Sequence, residues 1–217
     1  PTGLTATEKQ RGRMAENAPI GRTRAPWKWS RSTETQDTLL AAALAVFTER
    51  GYAEASVAEI VERADSSVGS LYHHFSGKNE LYLTLWETWQ ARQVERVTAA
   101  LEAARTAGED RGLALFLAGT RSFLEGSWTD RAVGSLFFDK DGPPGFETTR
   151  RASLQGWLRE EDSLLLNTAD DAIGRVTIAV LTTVFGEANR EILATDNYRD
   201  VEKIIDTAAA MIANLSP

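Results

Sequence analysis

Apolar residues recur at helical spacing along most of the chain, most clearly between residues 56 and 75. Val57, Ile60, Val61 and Ala64 stand at i, i+3, i+4 and i+7, one face of a short helix. Ser56 precedes that face and Glu59 follows three residues later, the arrangement of a capping box. Asp65, Ser66 and Ser67 then make a polar turn, and Asp tolerates the left-handed backbone that ends many helices. Val68, Leu71, Tyr72 and Phe75 give a second short apolar face, closed by Ser76 and Gly77. Upstream, Leu40, Ala43, Leu44 and Phe47 predict a helix over about 33–50, with Gly51 as its stop.

Downstream the pattern stays helical. Leu81, Leu85, Val94, Val97 and Leu101 mark a long helix from Asn79 to Ala104, ended by Gly108 and roughly 40 Å long at about 1.5 Å per residue. Leu113, Phe116, Leu117, Thr120 and Leu124 predict a helix over 113–127, and a shorter one covers 131–138. Residues 139–145, with two Pro and two Gly, form a loop before a helix over 147–166. Ile173, Val176, Thr177, Val180, Leu181 and Val184 stripe a helix over 169–188. Val201, Ile204, Ile205, Ala208, Ile212 and Leu215 stripe the last, from Tyr198. No strand pattern competes, so the predicted fold class is all-α.

Two short helices around a tight turn match a helix-turn-helix, whose second helix enters the DNA major groove; an ordinary helical hairpin fits the pattern equally well. Ile60, Ala64, the run Ser67-Val68-Gly69-Ser70-Leu71-Tyr72-His73-His74-Phe75, Lys78 and Leu81 resemble the TetR family of transcriptional regulators over about residues 35–85. Two positions depart from the family pattern: Asp65 stands where Gly is usual, and Ser66 where an apolar residue is usual. The resemblance implies a helix-turn-helix DNA-binding domain over 33–80 and a helical ligand-binding and dimerisation domain over 81–217. It implies a homodimer on a palindromic double-stranded operator, most simply a ligand-responsive repressor.

Charge changes the picture only through its distribution. The net charge is −7, yet residues 1–92 hold eleven basic and eleven acidic residues, and the excess acid lies beyond them. Residues 1–32 are rich in Pro, Gly, Thr and Arg without apolar periodicity, which predicts a flexible basic arm. Arg22, Arg24, Lys28 and Arg31 could reach a minor groove or remain solvated, and Trp27 and Trp29 are poor candidates for full exposure. The absence of cysteine excludes disulfides and thiolate chemistry. No apolar run of membrane-spanning length and no secretory signal is present, so a cytoplasmic protein without membrane contact is expected.

By the resemblance, Val68, Gly69, Ser70 and His73 meet base edges. Ser56, Ser67, Tyr72, His74 and Lys78 meet phosphates, with Tyr72 shared between core and phosphate. None of the base-facing residues offers a bidentate base contact, which puts part of the specificity into DNA shape. Adjacent His73 and His74 point about 100° apart on a helix and are not read as a metal site; no cofactor is expected. The resemblance also implies a pocket for a small apolar or aromatic ligand beside the long helix. Its candidates are Trp86, Trp89, Phe116, Thr120, Phe123, Trp128, Phe137 and Trp157, with Arg121 and Gln155 as further polar anchors; ordinary core packing explains the same aromatics. The last two helices supply the expected dimer interface: Ile173, Val176, Thr177, Val180, Leu181, Val184, Val201, Ile204, Ile205, Ala208 and Ile212, unless one stripe faces the subunit's own core. With no Cys, two His and no paired carboxylates, an enzyme is the weaker alternative, as is a helical ligand carrier with an incidental helix-turn-helix.

Overall fold

A computed structural model describes residues 31–138, 142–153 and 172–215, and every regular element among them is a helix. In chain order they are α1 (Arg31–Glu54), α2 (Val57–Arg63), α3 (Val68–His74), α4 (Lys78–Thr106), α5 (Gly112–Thr129), α6 (Arg131–Phe138), α7 (146–153), α8 (Ala172–Ala194) and α9 (Tyr198–Leu215). The expected basic arm, Trp157 and Gln155 lie outside the described residues, as does most of the helix predicted over 147–166.

The ends of the short helices follow from their cap residues. Ser56 Oγ accepts from the Glu59 amide at 3.2 Å, and the Glu59 carboxylate takes back the Ser56 amide at 3.1 Å, so the predicted capping box is formed. At the other end of α2, Asp65 has φ 47°. The Ser66 amide reaches Val61 O at 2.9 Å and the Asp65 amide reaches Glu62 O at 3.2 Å, the paired bonds of a Schellman ending. Gly51, at φ 79° and ψ 164°, breaks α1 where the sequence predicts its stop, and a last turn follows as far as Glu54.

The largest apolar cluster joins α1–α3 to the first half of α4, to α6 and to α7. Leu39, Val46, Phe47, Ile60, Leu71, Phe75, Leu81, Tyr82, Trp86, Phe137 and Phe146 are all buried in it. Several sequence assignments shift by one position around the helices. Leu39 and Val46 are buried where Leu40 and Leu44 are only partly so, because the α1 face is centred one residue earlier. Val94 is 55% exposed and leaves the stripe assigned to the long helix. Val68 and Tyr72 also lie outside the core, at 48% and 56% exposed, since Leu71 and Phe75 alone fill the space that α3 covers.

Smaller clusters hold the rest. α5 carries Leu124 against Phe185, Ile192, Val201 and Ile205, and Phe116 against Leu181 and Ile212. This corrects half of the predicted dimer interface. Leu181, Val201, Ile205, Ala208 and Ile212 are buried within the subunit, because α5 needs an apolar partner along its whole length. Ile173, Val176 and Val180 remain exposed, and Val184 and Ile204 are partly buried against the α5 cluster.

One carboxylate of α1 opposes folding at neutral pH. Asp37 Oδ1 is buried without a hydrogen-bond partner, and desolvation raises the carboxyl from its ordinary 3.8 to about 6. The native state therefore holds a proton that the unfolded chain releases. This contribution to stability is complete below about 3.8 and is lost as pH rises through about 6. Asp37→Asn is expected to raise the melting temperature at pH 7.5 but not at pH 3.5. The difference between variant and wild type across that range isolates this group from the other carboxylates.

Candidate nucleic-acid interface and internal cavity

α3 is held at its two buried positions and presents the others. Ser67 caps it, accepting from the Ser70 amide at 3.1 Å. Leu71 and Phe75 anchor it, and Val68, Gly69, Tyr72 and His73 form one exposed face at i, i+1, i+4 and i+5. Ser70 and His74 sit at the margins, half-buried, with the His73 and His74 rings edge to face at 4.9 Å. α2 is clamped to α1 by a two-bond ion pair between Arg63 and Glu49, both bonds 2.7 Å, so the turn rides on a fixed base. The Arg63 guanidinium holds the Glu49 carboxyl below its usual range.

Two residues expected at phosphates are committed to the fold instead. The Ser56 hydroxyl both donates to Glu59 and accepts from it within the capping box. The Lys78 ammonium donates to the carbonyls of Tyr52, Ala53 and Ala55 at 2.8, 3.0 and 3.1 Å, and lies 4.6 Å from the centre of the Tyr52 ring. A lysine carries three protons, and here all three satisfy carbonyls left by the break at Gly51. Lys78→Met is expected to cost about 2–3 kcal/mol in chemical denaturation, since the bonds are charge-assisted and their acceptors partly buried. The salt slope of DNA binding is expected to stay unchanged; a slope lower by about one would return Lys78 to the phosphates.

Beside the middle of α4 lies a cavity of about 390 Å³, walled by α4, α5, α6, α7 and α8. Trp86, Trp89 and Phe123 line it as predicted, the two indoles stacked with centroids 5.4 Å apart. The other candidates within the described residues lie elsewhere. Phe137 is fully buried one layer behind Trp86, at 5.2 Å, and Phe116 and Thr120 are buried on α5 away from the cavity. Trp128 closes the end of the bundle between Arg131 and Tyr198, and Arg121 pairs outside with Asp206 and Glu125.

The cavity is also more polar than expected. Glu147, Arg150, Arg151, Glu187 and Arg190 face it together with Gln90 and Gln93. Gln93 is buried and fixed, its Nε2 donating to Ser127 Oγ at 3.2 Å and its Oε1 accepting from Arg96 at 3.3 Å. Arg96 in turn pairs with Asp130 at 2.7 Å. The sequence pattern points to the aromatics and does not single out these charges.

Comparison with known proteins shows what the helix-turn-helix is similar to. Residues 39–85 match the family of bacterial regulatory proteins called tetR, and the match ends within α4. Through this domain the chain is similar to the TetR family. The chain is 38% identical over 109 positions to the HTH-type transcriptional activator FasR of Mycolicibacterium smegmatis, covering 50% of this chain and 46% of that one. It is 42% identical over 71 positions to the HTH-type transcriptional regulator CymR of Pseudomonas putida, covering 33% and 35%. The chain thus spans about half or less of the length of these curated relatives. Two solved structures share its fold over most of its length. A TetR-family regulator from Syntrophomonas wolfei superimposes with a TM-score of 0.68 at 13% identity, covering 85% of this chain and 96% of that one. A TetR-like regulator from Rhodococcus gives 0.63 at 18% identity, covering 87% and 96%. The matching family model describes bacterial regulatory proteins, and no described helix is long and apolar enough to cross a membrane.

Proposed function

We propose that this chain is a ligand-responsive regulator of transcription, most simply a repressor, that binds a near-palindromic operator as a homodimer. The observation that carries the reading is the outward face of α3, where a capped and doubly anchored helix leaves Val68 and Tyr72 about half exposed. Val68 suits a thymine methyl, Gly69 admits the backbone close to the bases, and His73 supplies one hydrogen bond. Ser67, Tyr72 and His74 are the phosphate ligands in this reading. The domain over 33–80 does the reading of DNA, and residues 81–217 carry the ligand and the dimer contact.

Selection of genomic fragments by the purified protein at two salt concentrations tests it. A two-fold motif with half-sites one or more helical turns apart is expected. Capture without a motif, lost as salt rises, would leave only electrostatic attraction.

The dimer face is assigned to Ile173, Val176 and Val180 of α8 together with Met211 of α9, all exposed within the subunit. Val176→Asp is expected to give a folded monomer by sedimentation, whereas Ile205→Asp, altering a buried residue, is expected to unfold the chain. A Val176→Asp variant that sedimented as a dimer would move the interface elsewhere. A ligand favouring one arrangement of the two subunits would shift operator occupancy by its differential affinity for the two states.

A further inference from the structure

Resting on the reading of the cavity as a ligand site, we infer that its ligand is an apolar molecule with a carboxylate head, and that Arg150 of α7 takes the head. The Arg150 side chain is only 19% exposed. Its guanidinium lies 5.0 Å from the centre of the Phe138 ring, and one terminal nitrogen donates to Glu147. Its Nε–H is buried without an acceptor. A charged donor withdrawn from water and left unmatched is costly, and a carboxylate oxygen removes that cost with a charge-assisted bond.

The surrounding charge favours an anion. Glu147 is shared between Arg150 and Arg151, the latter at 3.4 Å, so two guanidiniums face one carboxylate at this corner. Both arginines hold the Glu147 carboxyl below its usual range, Arg150 first. Arg190 and Glu187, paired with each other, add no net charge. The opposite wall is apolar: the stacked Trp86 and Trp89, with Phe123 and the buried Val97. A cavity of about 390 Å³ is about a dozen water volumes, room for a ten-carbon chain or a fused bicyclic ring beside the head. A neutral oxygen gives the Arg150 Nε–H only an ordinary hydrogen bond without charge assistance, and a cation meets two guanidiniums.

The test titrates the full chain with sodium decanoate, 1-decanol, decyltrimethylammonium and 2-naphthoate, following tryptophan fluorescence from the indoles in the wall. Decanoate or naphthoate is expected to bind about tenfold to a hundredfold more tightly than decanol, the span of one charge-assisted hydrogen bond. Whichever of the two leads identifies the body as alkyl or aryl. In Arg150→Met the ratio of carboxylate to alcohol affinity is expected to fall to about one, and in Arg150→Lys, which keeps charge without the planar fork, to an intermediate value. Equal affinity for decanol and decanoate in the wild type, preference for the cation, or an unchanged ratio in Arg150→Met would overturn the inference. So would the absence of binding by every probe. Operator capture without ligand is measured in parallel: if it persists while the carboxylates fail, the ligand class falls and the DNA-binding reading stands.

Discussion

Val68→Glu is expected to abolish operator binding, with affinity falling at least a hundredfold, while the protein remains folded. Val68 is the first residue of α3 and is half exposed, so the larger side chain displaces nothing in the core. A carboxylate in the first turn of a helix interacts favourably with the unpaired amides there, so the melting temperature is expected to hold or rise slightly. The same carboxylate placed in a groove between two phosphate strands meets like charge from both sides, and such juxtaposition costs several kcal/mol. Each subunit of a dimer carries one, which doubles the effect. The readout is a gel shift or anisotropy titration at fixed salt, with circular dichroism as the control for folding. Retained affinity would mean that α3 does not enter the groove by this face.

Tyr82→Ala is expected to cost about 3–5 kcal/mol of stability, a large share of the roughly 5–15 kcal/mol that holds a domain together. Tyr82 is fully buried, and its ring packs on Phe47, Tyr52, Phe137 and Phe146 with centroids 4.9–5.7 Å away. Its hydroxyl donates to Leu136 O at 2.9 Å. Tyr82→Phe keeps the packing and strands that carbonyl, so it is expected to cost about 1–2 kcal/mol. Urea denaturation of the three proteins checks both figures. A loss below 1 kcal/mol for the alanine variant would show that the surrounding rings collapse into the space.

Local chemistry was the most legible part of the sequence. The capping box of α2, the left-handed Asp65, the break at Gly51 and the ends of α4 each depend on a few adjacent residues, and each is within two residues of where the sequence places it. Periodicity located helices but not always the residue at the centre of the buried face. A shift of one residue turns a helix by about 100°, so Leu39 took the place assigned to Leu40 and Val94 fell outside. The last two helices show what periodicity omits: an apolar stripe records that a face is covered, not by which chain. α5 covers Val201, Ile205 and Ala208, which from sequence are equally good candidates for a second subunit. Lys78 and Arg150 were hidden for another reason. A cation's partners depend on which carbonyls, rings and carboxylates the fold brings to it, and Tyr52 and Ala55 lie more than twenty residues from Lys78 in the chain.

The shared core around Tyr82 bears on how this helix-turn-helix unit could be moved between proteins. Leu81, Tyr82, Leu85 and Trp86 belong to α4, yet they seal the underside of α1–α3 together with Leu136, Phe137 and Phe146. A graft cut after residue 80 would export α1–α3 with their floor removed. A transplant that keeps α4 through Trp89 still lacks the α6 and α7 side chains against which that floor rests. The unit therefore travels intact only with a recipient that supplies equivalent aromatic residues, and chimeras with other regulators should be chosen by matching those positions and not by the turn.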